Sequence, residues 1–274
     1  MHGLRKKLGT IQRGTWGFFE NVFQQPRLVE KGLTRLLLGR SVHGRPLLAY
    51  RIGTGQKKVA FVSAIHGNEV GTIKLSYHLT DWLKKFETNF SDFTFYIIPC
   101  LNPDGYTQAL QHPDYFNDGR IGRFNGNNVD LNRNFPVPSW EPKSDWTFGK
   151  NYSERSEVFC GNEAGSEPET QALTQLLITE KIPVLYMFHN KARDVMPNKN
   201  PLANTLAQIY ARESRFKFFP EKEWHTLKQT GTAKEWCDAN NIAFLEIEGS
   251  TRWGSDWHIQ KHAIQATLNH LKSL

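Results

Sequence analysis

The chain has 274 residues, 39% of them hydrophobic and 22% charged, a balance that gives a globular protein with a sizeable core and excludes a disordered one. No apolar run is long enough to cross a bilayer, which excludes a membrane span. The net charge of +7 favours anionic partners such as carboxylate-bearing substrates; the basic residues are scattered and form no stripe interleaved with aromatics, so nucleic acid is not expected.

Residues 1–32 show no clear period and are expected to be an arm or a short helix packed on a domain that runs from 33 to 274. Trp16-Gly-Phe-Phe19 is too short for a secretory apolar segment and is followed at once by Glu20. Stretches 33–38 and 46–52 read as paired strands joined across Gly39–Gly44. Gly53-Thr-Gly55 reads as a turn, because the glycine spacing of a phosphate loop fails and no helix follows. A buried strand over 58–65 leads into a helix over 70–86, and 93–99 is a further strand. The segment 100–165, rich in Asn, Gly, Pro and Asp, reads as a long functional loop.

Ser166 is the expected N-cap of the next helix, with Pro168 in its first turn and Glu167 and Glu169 at its positive end. A buried strand over 183–188 then closes on His189. Helices over 202–213 and 232–239, a strand over 242–247 and a terminal helix over 256–271 complete the order. The alternation predicts an α/β fold with a largely parallel central sheet. Cys100, Cys160 and Cys237 are odd in number and form no C-x-x-C pair, so a reducing, cytoplasmic compartment is the expectation.

Two stretches carry chemistry. His66-Gly-Asn-Glu69 sits between a buried strand and a helix, where an imidazole and a carboxylate three residues apart can aim at one point. Open α/β sheets place their ligands at such strand ends. If the strand ending at His189 lies nearby, His66, Glu69 and His189 make a two-His, one-Glu site with the fourth position left for water, whose pKa a bound zinc lowers to about 7. His258 and His262 are a rival pair on one helix face, with no third ligand in sight. The second stretch is Gly122–Pro136, where Arg123 and Arg133 stand among five asparagines and a single acid, Asp130. Arginine grips carboxylate bidentately and stays charged. The alternation of Val129, Leu131 and Phe135 places Asp130, Asn132 and Asn134 on the opposite side.

In this order, Gly39-Arg-Ser-Val-His-Gly-Arg45, His66-Gly-Asn-Glu69, Pro99-Cys-Leu-Asn-Pro-Asp-Gly105, Gly122-Arg-Phe-Asn, Val129-Asp-Leu-Asn-Arg-Asn-Phe-Pro136, Ser166-Glu-Pro-Glu-Thr170, His189 and a Glu near Gly249 resemble the zinc carboxypeptidase (funnelin) superfamily. The resemblance implies a single three-layer α/β/α domain with a mixed, largely parallel sheet, and one zinc ion held by His66, Glu69 and His189. It implies that Arg133 with Asn132 grips the terminal carboxylate of a short peptide and that Arg123 stabilises the oxyanion. Phe244-Leu-Glu-Ile-Glu-Gly249 offers two acids on one strand face. Glu248 matches the family's general base, and Glu246 then lines the pocket of the leaving residue, where it would favour an amine. The digestive members' capping Tyr has no counterpart between Tyr210 and Glu248; Trp236 and Cys237 fall in that region.

The chain looks most like the compact bacterial murein peptide amidases, with features of the regulatory carboxypeptidases that prefer basic C-terminal residues. The expected reaction is hydrolysis of a C-terminal, or γ-linked diamino-acid, amide bond. Two alternatives remain open at this point. One is a zinc deacylase resembling aspartoacylase or succinylglutamate desuccinylase; the other is a non-catalytic peptide-binding module.

Overall fold

Apolar residues fill both faces of the central strands, and the period of two along each strand sorts them into two cores. In the computed structural model, which describes residues 33–112, 119–148, 154–220 and 229–274, the elements run as follows. β1 (Leu33–Arg40), β2 (Pro46–Ile52) and β3 (Lys57–Ser63) precede α1 (Val70–Lys85) and β4 (Phe93–Ile98). Then come α2 (Pro103–Gln111), β5 (Lys143–Phe148), β6 (Glu154–Phe159), α3 (Pro168–Thr179), β7 (Val184–Asn190) and β8 (Asp194–Pro197). The chain closes with α4 (Pro201–Ser214), β9 (Lys217–Phe218), α5 (Ala233–Ala239), β10 (Ala243–Gly249) and α6 (Trp257–Ser273). The expected N-terminal arm lies outside the described residues.

Among the described residues the main sheet has eight strands in the order β1-β2-β4-β3-β7-β10-β8-β9. Its centre, β4-β3-β7-β10, is parallel, while β1, β2 and β8 add antiparallel pairings. Phe61, Phe95, Tyr186, Phe188, Leu245 and Ile247 face α1, α4 and α6 in one core. Ala60, Val62, Leu185, Met187 and Phe244 face α3 and α5 in the other. The mixed sheet between two helical layers agrees with the expected α/β architecture.

The second core stops short of the strand ends, and that positions the site. On β7 the row Leu185, Met187 continues to His189; on β10 the row that starts at Phe244 continues to Glu246 and Glu248. The two parallel strands hold Glu248 opposite His189 and Glu246 opposite Met187. An apolar row thus turns polar at the carboxyl end of the sheet.

Three expectations need correction. Ser166 does not cap α3: Glu167 takes the N-cap position, with extended φ −82° and ψ 135°. The residue before a proline is driven out of the helical region, so Pro168 forces the boundary one residue later. Segment 100–165 is not one loop. Asn102 accepts a hydrogen bond from Gly105 N at 2.8 Å and caps α2 with Pro103 in its first turn, and β5 pairs with β6 as a hairpin. Third, Leu131–Arg133 forms a 3-10 turn, and Asp130, Asn132 and Asn134 are as buried as the apolar residues between them, at 0, 4 and 0% exposure.

Phe61 is fully buried and its ring meets those of Phe95, Tyr186 and Phe188. Phe61→Ala is expected to cost about 3–5 kcal/mol, read as a lower urea midpoint at an unchanged m-value. A loss below about 1 kcal/mol would place the main core elsewhere.

Candidate metal centre

The turn that carries His66 and Glu69 is built tightly between β3 and α1. Thr72 Oγ1 donates to Glu69 O at 2.7 Å and accepts from Ala64 N at 3.0 Å, tying the turn to both elements. A Cβ on Gly67 would lie 2.0 Å from Tyr106 N, so only glycine lets the turn pack on α2. His189 arrives from β7. The three side chains, spread over more than a hundred residues of sequence, come together. His66 Nδ1 is 3.0 Å from Glu69 Oε1, and His189 Nδ1 is 3.2 Å from Glu69 Oε2. Each residue offers a ligand atom within 4.8 Å of the others, and all three are buried.

The donor set fits a metal ion. Glu69 Oε2 approaches His189 without the alignment of a hydrogen bond, and His189 Nε2 has no hydrogen-bond partner either. Each buried polar atom left so costs about 1–3 kcal/mol. Burial pushes the Glu69 carboxyl up, but the two imidazoles outweigh it and hold it down at about 2. Burial pushes His189 down; Glu69, Glu246 and Glu248 overcome this and hold its proton to about 9. The carboxylates around His189 therefore require a cation, and without a metal that cation is the imidazolium.

Asp130 supports this group. Its Oδ1 lies 3.3 Å from His66 Nε2, and its Oδ2 accepts from Arg123 Nε and Nη2 at 2.9 and 2.7 Å. Burial would raise its pKa, but Arg123 and His66 hold it well below the usual carboxylate range. An ionised carboxylate behind a ligating imidazole fixes its tautomer and orientation. Arg123 also stacks on Trp146, with Cζ 4.5 Å from the ring centroid.

Arg133 is buried on the next turn. Nη1 donates to Asn132 O at 2.7 Å, and Nε and Nη2 both donate to Asp145 O at 3.2 Å. Those bonds use three of the five guanidinium donors. Asn132 Oδ1 accepts from Ala233 N at 3.0 Å, which pins the amide to α5. On β10, Glu248 is pushed up to about 8 by burial, with Glu69, Glu246 and Asp194 adding to the effect against His189; its Oε2 is buried without a partner. Glu246 lies within electrostatic reach of both His189 and Arg133.

All eight residues singled out in the sequence thus fall at one end of the sheet. Trp236 and Cys237 do not: both are buried in the second core. The rival pair His258 and His262 is exposed on α6. Sequence reasoning missed Asp130 as the support of His66, and Trp146 and the Asp145 carbonyl as supports of the two arginines. The lone acid in an Asn- and Arg-rich stretch was the available signal for Asp130. For β5 there was none, because its contacts are made through a carbonyl and a ring face.

The sequence profile of the zinc carboxypeptidase family matches residues 23–241. The chain belongs to that family. Zinc is the family's metal, and His66, Glu69 and His189 form the group suited to hold it. The chain is 32% identical to mouse carboxypeptidase M over 197 residues, 66% of this chain and 38% of that protein. It is 30% identical to murein peptide amidase A of Escherichia coli K12 over 177 residues, 63% of this chain and 66% of that protein. It therefore spans less than two thirds of either relative. Among solved structures, murein-tripeptide amidase from E. coli O157 superposes with a TM-score of 0.61 at 21% identity, covering 90% of this chain and 96% of that one. Bovine thrombin-activatable fibrinolysis inhibitor gives 0.69 at 17% identity, covering 97% of each. These likenesses confirm the fold. The family match ends before β10, so Glu246 and Glu248 are placed by the structure alone.

Zinc uptake by the metal-free protein must displace the His189 proton below about pH 9. Affinity is therefore expected to rise with pH up to that point, with about one proton or more released per ion at pH 7. Calorimetry in buffers of different ionisation enthalpy reads this directly; pH-independent binding with no proton release would contradict it.

Proposed function

We propose that this protein is a cytoplasmic zinc metallocarboxypeptidase that hydrolyses the C-terminal, or γ-linked diamino-acid, amide bond of short peptides, with residues 33–274 as its catalytic unit. The observation that carries the reading is the buried His66–Glu69–His189 group standing beside a buried arginine with donors to spare. A carboxylate gripped at one depth restricts cleavage to the chain end. The three cysteines are unpaired, which suits a reducing compartment. No helix among the described residues is long and apolar enough to cross a membrane.

Zinc bound to His66, Glu69 and His189 would polarise the scissile carbonyl and make hydroxide available near neutral pH. The remaining work belongs to the chain's own residues. Arg133, with the Asn132 amide, holds the terminal carboxylate through its unused N–H groups. Arg123, fixed by Asp130 and Trp146, presents positive charge to the developing oxyanion, typically the largest catalytic term. Glu248 takes a proton from the attacking water and passes it to the leaving amine; its place opposite His189 in the strand register supports this role. Glu246, within electrostatic reach of both His189 and Arg133, lines the pocket of the leaving residue in this reading, and its carboxylate selects a side chain bearing an amine. Murein peptide amidase A acts, by its name, on murein peptides, and a diamino-acid leaving group fits the same pocket.

Glu248→Gln is expected to lower kcat by about 10²–10⁴-fold while zinc content stays unchanged. Glu246→Gln should keep kcat and lose the preference for Lys over Ala as leaving residue, by about tenfold in kcat/KM. Peptides and N-acyl amino acids are assayed side by side with and without chelator. Near-normal turnover in Glu248→Gln would overturn the base assignment. Chelator-sensitive release from acyl amino acids alone would establish the deacylase instead, and bound peptide without turnover the binding module.

A further inference from the structure

Three glycines meet where the metal-ligand turn, the first turn of α2 and the loop bearing Arg123 come together. A Cβ on Gly67 would lie 2.3 Å from Gly105 C, one on Gly105 would lie 2.5 Å from Gly122 O and 2.6 Å from Phe124 O, and one on Gly122 would lie 2.6 Å from Gly105 O. Backbone thus touches backbone on both sides of α2, with no flexible side chain between to give way. The two carbonyls that Gly105 meets are those of the residues on either side of Arg123.

Asn102 closes the same junction. It is fully buried, and both ends of its carboxamide are used. Oδ1 accepts from Gly105 N at 2.8 Å, the capping bond of α2. Nδ2 donates to Arg123 O at 3.0 Å and to Ile65 O at 3.3 Å. Its backbone N–H donates to Ala64 O at 2.9 Å. One side chain therefore joins the residue before His66 to the backbone of Arg123. A helix cap needs only the oxygen; the two amide donors are spent outside the helix, on the metal-ligand turn and on the arginine.

We infer that Asn102 is a positioning residue that, with Gly105, sets where Arg123 stands relative to the metal ligands. Asp130 holds the Arg123 guanidinium and the His66 ring to one carboxylate. Asn102 holds the two backbones behind them to one carboxamide. The pair is fixed at tip and at base, so positive charge meets the developing oxyanion without reorganising. A displacement of about 1 Å at the base costs rate. It leaves substrate affinity largely intact, because Arg133 grips the carboxylate from the 131–133 turn. The catalytic consequence rests on the reading of Arg123 as the group that stabilises the oxyanion.

Asn102→Asp keeps the cap acceptor and removes both donors; Asn102→Ser and Gly105→Ala disturb the junction without placing a charge in it. Each zinc-loaded variant is expected to cleave acetyl-Ala-Ala-Lys with kcat about ten- to a hundredfold lower, KM within about twofold and zinc content unchanged. In an Arg123→Gln background the same substitutions should cost less than about threefold, since the group they position is gone. The Nε–H of Arg123, assigned in the NMR spectrum by its loss in Arg123→Gln, reads the position without turnover. Donating to buried Asp130, it exchanges slowly with solvent, and in each folded variant its signal should shift and exchange about tenfold faster. An unmoved signal, equal losses of kcat in both backgrounds, or kcat intact in the Asn102 and Gly105 variants although Arg123→Gln loses activity would overturn the positioning role. A moved signal with full activity in Arg123→Gln would uphold the positioning and overturn the oxyanion reading alone. Absence of cleavage by the unsubstituted protein counts against the peptidase reading, and the Arg123 signal then decides the positioning by itself.

Discussion

The carboxylate of Asp130 is the contact on which the site depends. It has no exposure to solvent, and an ion so buried costs several kcal/mol unless its oxygens are satisfied. One oxygen faces the imidazole of His66 and also accepts the backbone N–H of Asn132 at 3.1 Å; the other takes two N–H groups of Arg123. A single desolvated group therefore fixes a metal ligand, the arginine beside it and the first bond of the turn that aims Arg133. Neutralising Asp130 would leave the Arg123 charge buried without its partner and free the His66 ring to rotate. Charge balance and geometry are the same constraint here.

That arrangement explains what the sequence made legible. His66 and Glu69 were readable because ligand spacing and a strand-to-helix turn are local features. His189 was readable because a polar residue closed an apolar strand. The layering was readable because alternating apolar runs and helical stripes are strong signals, and β3, β7 and β10 came out where those runs lie. What stayed hidden depends on contacts distant in sequence. Asp130 reads as one polar residue among asparagines until its partners His66 and Arg123, 64 and seven residues before it, are in place. The β5–β6 hairpin was masked by its polar composition: Lys143, Ser144 and Asp145 carry no apolar alternation. Ser166 misled because its hydroxyl satisfies the Glu167 carboxylate at 2.7 Å instead of a helix N–H.

The buried acids at this end of the molecule fall into two groups with different compensation. Around Asn125, the carboxylates of Glu167 and Glu169 accept its amide at 2.6 and 3.0 Å, and Asp104 is held by Arg45 at 2.6 Å and Ser41 at 2.8 Å. Each has protein donors, so this network positions the loop at 41–45 against α2 and α3. Around His189 the supply of donors runs short: Glu69 and Glu248 each keep one buried oxygen without a partner. The contrast separates a structural network, complete in itself, from a group whose incomplete satisfaction is what a bound cation would correct.

The two glutamates of β10 follow from the same reasoning. A strand running out of an apolar core must place alternate residues on one face, so Glu246 and Glu248 share an environment that neither would choose alone. Their neighbours differ. Glu248 stands opposite His189 in the sheet and is affected by Glu69 and Asp194. Glu246 stands one step deeper, opposite Met187, with Arg133 within electrostatic reach. A carboxylate in the first position is held partly protonated near neutral pH by burial and by other acids, the condition for moving a proton in either direction. A carboxylate in the second has the Arg133 cation within range and stands away from the proton-transfer position, which suits it to reading charge on a ligand. One alternation along one strand thus separates proton transfer from recognition by the distance of two residues.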